Sequence, residues 1–130
     1  MPKGRKSSRG TITDLLRIIR ARQASKRDDY RTAVRLLEGE PASSRYSHLI
    51  PLYRLTLMVC AEDNRRVDQA RLLFDQQGSA ATGDDRCLDA YRRYLCGGLL
   101  GNWQVSEAAA NELRHIPISG FYRGLLALPS

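Results

Sequence analysis

The sequence predicts an all-α protein of six or seven short helices, on three observations. Apolar residues recur at spacings of three and four through most of the chain, the period of a helix packed on one face. No stretch alternates apolar and polar residues with the period of two that a half-buried strand needs. Helix breakers punctuate these periodic runs: Gly39 and Pro41, Gly78, Gly101-Asn102 and Pro117.

Each element follows from local chemistry. Residues 1–10 carry Pro2, Gly4, Ser7, Ser8 and Gly10 and no large apolar side chain after Met1, so nothing offsets the entropy of ordering. They are expected to form a disordered basic tail, and residues 11–130 a single domain. Thr11 or Thr13 is expected to cap a first helix whose Ile12, Leu15, Leu16, Ile18 and Ile19 make one broad apolar face. Asp28 or Asp29 caps a second, running through Ala33, Leu36 and Leu37 to Gly39 and Pro41. After a loop at 41–44, a third helix spans about 46–61, with Pro51 tolerated in its first turns. It is apolar on most sides and expected to be the most buried element.

Asp63 and Asn64 separate it from a fourth helix over about 65–77, with Val67, Ala70, Leu73 and Phe74 at helical spacing. A small-residue loop at 78–83 follows. Thr82, Asp84 or Asp85 is then expected to cap a fifth helix through Leu88, Tyr91, Leu95 and Leu99. Gly101-Asn102 breaks it. A sixth helix covers about 104–115 and stops at Pro117, and Ser119 caps a short amphipathic segment at 121–128.

Composition bounds the function. The 130 residues are 42% hydrophobic and 27% charged, which fits one soluble globular core and excludes collagen and wholesale disorder. No run approaches the roughly 18 apolar residues of a membrane span, and the positive N-terminus lacks the apolar core of a secretory signal. Three cysteines without a CxxC are too few for a disulfide scaffold. Cys87 and Cys96 stand about 900° apart on a helix, on opposite faces. Reduced thiols in a cytoplasmic protein are the expectation. The formal charge of +7 is lopsided. Residues 1–31 hold ten Lys/Arg against Asp14, Asp28 and Asp29, whereas residues 32–130 hold eleven bases and eleven acids.

A repeat runs through the helices. Ala33, Ala70 and Ala109 align at intervals of 37 and 39 residues. Four residues on stand Leu37, Phe74 and Leu113; eight on stand the terminators Pro41, Gly78 and Pro117; twelve before stand Ala21, Met58 and Gly97. Small residues at such paired positions let two antiparallel helices approach closely. The pattern resembles the tetratricopeptide repeat (TPR). Tyr30-x-x-Ala33-x-x-x-Leu37 fits the family's second-helix signature fully. Val67 and Ser106 replace the aromatic residue in the other two copies, and Met58 replaces the small residue of the second. Gly101-Asn102-Trp103 looks like a TPR turn. The period exceeds the family's usual ~34 residues, so the loops must be enlarged. The resemblance implies about three antiparallel hairpins in a right-handed solenoid, with a short C-terminal helix. A non-repetitive helical bundle is the competing reading.

Catalytic chemistry finds little support. His48 and His115 have no Cys or His at ligand spacing, so neither a metal site nor a cofactor is expected. The acidic pairs at 28–29, 62–63 and 84–85 sit at turns, where they cap helices. Ser47-His48 is a sequence neighbour pair and not a triad. No glycine loop has the context of a phosphate cradle.

Two surfaces are candidates for contact. The resemblance implies a concave groove formed by Leu15, Ile18, Arg22, Leu52, Leu55, Val59, Tyr91 and Tyr94, apolar and aromatic, with a basic end and without a carboxylate clamp. Such a groove suits a peptide or helix of another protein; the competing reading makes these residues core. The second surface is a basic arm of Lys3, Arg5, Lys6, Arg9, Arg17 and Arg20, suited to a polyanion or nucleic acid, or simply to solubility. No aromatic residue precedes Tyr30, so base stacking there is unsupported. The expected function is a non-enzymatic protein–protein interaction module: an adaptor, an assembly factor or a small chaperone. Nucleic-acid binding through the arm is the alternative. An apolar face left by the short last helix leaves a homodimer open.

Overall fold

A computed structural model describes residues 3–43, 45–76 and 83–129. Its helices are α1 (Lys3–Lys26), α2 (Tyr30–Leu36), α3 (Leu49–Cys60), α4 (Arg66–Phe74), α5 (Gly83–Leu99), α6 (Trp103–Arg114) and α7 (Gly120–Leu125). The described residues contain no strand, and the fold is all-α as the sequence predicts. The chain forms two compact units, Met1–Ala61 and Glu62–Ser130, where composition suggests one domain. In the first, α2 packs on both α1 and α3; in the second, α5 packs on both α4 and α6.

Helix α1 begins well ahead of the expected caps, so Thr11 and Thr13 lie inside it and residues 3–10 extend it. The reason lies at Gly10. It is buried, and a Cβ there would stand 2.4 Å from the Ala42 carbonyl oxygen. Only glycine allows α1 to lie this close to another backbone. The anchored turn lets the helix propagate through Arg9 and Lys6, whose side-chain types favour helix.

The α1–α2 turn divides the labour between the two aspartates. Asp28 adopts a left-handed φ of 60°. Its N–H donates to the Ser25 carbonyl at 3.0 Å, and the Asp29 N–H donates to the Ala24 carbonyl at 2.9 Å. This paired closure satisfies carbonyls left open at the end of α1. Asp29 is the cap of α2, accepting from the Thr32 N–H. Ala21, Ala24 and Ala33 are fully buried where the two helices meet. Helix α3 has eight of its twelve residues buried, in line with the expectation.

In the second unit Gly101, at φ 77°, closes α5 in the same manner, with the Asn102 N–H donating to the Gly97 carbonyl at 2.8 Å. Asn102 then caps α6. A Cβ on Gly97 would meet the Ser106 nitrogen at 3.1 Å, and the Ser106 hydroxyl donates to the Tyr94 carbonyl at 2.8 Å. The serine that departs from the repeat pattern thus serves this close crossing. Cys87 and Cys96 are both buried although they face opposite sides, because α5 has neighbours on two sides. Ser119 caps α7, accepting from the Tyr122 N–H. The Thr82 cap lies outside the described residues, while Asp84 and Asp85 lie within α5.

Candidate interaction surface

Helix α1 has two unlike faces. The inner face is built mostly from small residues with one acid and one large apolar side chain: Gly10, Asp14, Ile18, Ala21 and Ala24 are all buried. Asp14 is 0% exposed, and one carboxylate oxygen accepts from the Ala42 N–H at 2.8 Å. The other accepts from the Ser43 N–H at 2.8 Å and the Ser43 hydroxyl at 2.9 Å. One turn on, Arg17 donates to the carbonyls of Leu36 at 3.2 Å, Glu38 at 2.7 Å and Glu40 at 3.3 Å, and pairs with Asp14 at 3.5 Å. A carboxylate takes the loop's N–H groups while a guanidinium takes its carbonyls, so the segment after α2 is clamped to α1 from both sides of its peptide units. Buried charges persist where hydrogen bonds satisfy them in this way.

The outer face carries Ile12, Leu16 and Ile19, exposed by 61%, 46% and 42%. At 100° per residue these three fall within about 60° of arc. Arg9 and Arg20 follow one edge of that stripe, and Arg22 and Lys26 the other; all four are exposed. This is an apolar seam inside a cationic frame, on the side of the helix opposite the clamp.

The residues expected to line a groove differ in exposure. Ile18, Leu52 and Leu55 are buried in the first unit and Tyr91 in the second, Leu15 and Tyr94 are half-buried, and Arg22 and Val59 are exposed. The Tyr91 hydroxyl accepts from the Ala127 N–H at 3.2 Å, and its ring lies 6.1 Å from that of Tyr94. Of the basic arm, Arg9 and Arg20 are exposed on α1 and Arg17 is committed to the clamp. Lys3, Arg5 and Lys6 lie on α1, with side chains outside the described set.

In the second unit the half-buried Arg92 and Arg93 join an internal network. Asp89 pairs with Arg92 at 2.9 Å and Arg93 at 3.1 Å, and Arg93 reaches Glu112 on α6 at 2.9 Å. Arg92 also donates to the Phe74 carbonyl at 2.7 Å, tying the end of α4 to α5. His115 Nδ1 lies 2.8 Å from the Asn111 carbonyl at the end of α6, and His48 is exposed ahead of α3 without a side-chain capping bond. Among the described residues no His, Cys, Asp or Glu side chains gather into a metal-holding group, and no helix is long and apolar enough to cross a membrane.

Hydrophobic ranking misses this seam, because it places Ile12, Leu16 and Ile19 with Ile18 on one inward face. The signals that separate them are the small residues Gly10, Ala21 and Ala24, which mark the true contact line, and the 4–3 spacing of 12, 16 and 19. Comparison with known proteins finds no matching family model, curated protein or solved structure.

Proposed function

We propose that this chain is a non-enzymatic protein–protein interaction module of TPR-like hairpins, acting as an adaptor, assembly factor or small chaperone. Its docking surface is the outer seam of α1, which receives a helix of another protein. The observation that carries this reading is the exposure of Ile12, Leu16 and Ile19 at helical spacing within the most basic part of the chain. Apolar side chains aligned in this way match the anchors of helix recognition. Ile18, Leu52, Leu55 and Tyr91 are buried, which favours the outer face of α1 as the contact. Two features support the hairpin architecture. Arg17 on α1 reaches the end of α2 while residues 24–29 form the turn, so the pair runs antiparallel. The same logic applies to α5 and α6, joined at Gly97–Asn102 and again at Arg93–Glu112.

The test is site-specific photo-crosslinking in cells, with the probe at position 16 or at the exposed Arg123 of α7. A discrete protein adduct confined to position 16 is expected. Adducts with nucleic acid at position 16 would support the polyanion alternative, and the same adducts at both positions would remove the seam as a specific surface.

A further inference from the structure

Ile12, Leu16 and Ile19 fill three successive core positions of a coiled-coil heptad, and the charges around them bear on the chemistry of what covers the seam. The inference rests on the docking role proposed above. In a heptad frame with Leu16 at position a, Ile12 and Ile19 fall at d, Arg20 at e and Arg22 at g, and the flanking a and d positions are the polar Arg9, Gln23 and Lys26. The buried positions Asp14 and Ala21 fall at f, directly opposite the seam. Side chains at e and g set partner choice in a coiled coil, because they meet their counterparts across the interface. Within α1 every charged group at those positions is a cation: Lys6, Arg20 and Arg22.

We infer that the α1 seam takes an acidic amphipathic helix of a partner protein, apolar at a and d and rich in Glu at e and g. A second copy of this chain is disfavoured, since pairing two such seams brings their cations together. A flat anionic bilayer calls for an apolar face of about 100° or more, and the seam is about 60° wide with cations on both edges. A nucleic-acid backbone would meet Ile12, Leu16 and Ile19 at the centre of the cationic face, where they offer phosphate nothing. An acidic helix satisfies the centre and both edges together.

The test uses the full chain and defined probes: two synthetic heptad peptides with Leu at a and d, one with Glu and one with Lys at e and g. Binding is followed by fluorescence anisotropy at two salt concentrations. The Glu peptide is expected to bind at least about tenfold more tightly than the Lys peptide, with the gap narrowing in high salt. The exposed-site variant I12Q/L16Q/I19Q should lose binding with an unchanged helical circular dichroism spectrum. The variant R20E/R22E should invert the preference. Equal binding of both peptides, lost in the seam variant, would overturn the acidic-partner inference and leave the docking role standing. Seam-independent binding, or binding of neither peptide, would also overturn it, and the docking role is then decided by the crosslinks at position 16. Tighter binding to phosphatidylserine vesicles or duplex DNA than to the Glu peptide, or self-association abolished by L16Q, would overturn it in favour of that occupant.

Discussion

At the scale of single residues, the first unit depends on two positions that hydropathy ranks as unimportant. Gly10 and Asp14 stand one turn apart and hold the same two residues, Ala42 and Ser43. Asp14→Asn keeps the size of the side chain but turns an acceptor into an amide donor, which faces backbone N–H groups already aimed at it. A buried hydrogen-bonding group left unmatched, with Arg17 losing its counter-charge, is expected to cost about 3 kcal/mol or more in urea unfolding. Gly10→Ala should destabilise as well, because the atom it displaces is a backbone carbonyl and not a flexible side chain. A stability within error of the parent for either variant would mean that the clamp does not order the segment. Cys96 makes a separate prediction about pH. Burial pushes its thiol up to about 11 from an ordinary 9.0, with neighbouring Arg92 working the other way. Between those values the folded state keeps a proton that the unfolded chain has lost. Stability therefore falls as pH rises through that window, and Cys96→Ala should flatten the decline when unfolding is followed from pH 8 to pH 11.

At the scale of elements, much of the fold is legible because helix ends and apolar periods are local. The stops at Gly101 and Pro117, the caps at Asp29 and Ser119 and the burial of α3 all follow from nearest neighbours in sequence. The early start of α1 is not legible in that way. It depends on a glycine meeting Ala42, more than thirty residues away, and composition registers only a flexible residue type. The site was hidden for a related reason. Alanine and glycine carry little hydrophobic weight, yet they mark where helices touch, and the large residues beside them point outward. This separation can be measured. Ile18 is 1% exposed and Leu16 is 46% exposed, though two residues apart. Ile18→Ala should cost about 2–5 kcal/mol through lost burial and a residual cavity. Leu16→Gln should stay within about 0.5 kcal/mol of the parent, as surface changes do. Thermal unfolding of the two variants checks both values; similar losses would place the two side chains in one core.

At the scale of the whole molecule, the charge asymmetry and the seam belong to the same helix but act at different stages of binding. The excess of +7 sits in residues 1–31, and the rest of the chain is neutral. Exposed charges attract a partner over roughly a Debye length, about 8 Å at physiological ionic strength, before any apolar contact forms. They therefore govern the association rate, while the packed seam governs how long the complex lasts. Lys3, Arg5, Lys6 and Arg9 precede the apolar seam in the sequence, and neutralising them with glutamine preserves helix propensity while lowering the net charge to +3. Against the Glu-flanked peptide, this quadruple variant should associate about tenfold more slowly in low salt and lose most of that deficit in high salt, with a much smaller change in the dissociation rate, to which only Arg9 at the seam's edge contributes. Leu16→Gln should show the opposite signature, a faster dissociation rate with near-normal association. Stopped-flow measurements separate the two, and a quadruple variant that changed only the dissociation rate would make the N-terminal cations part of the docked contact and not a steering field.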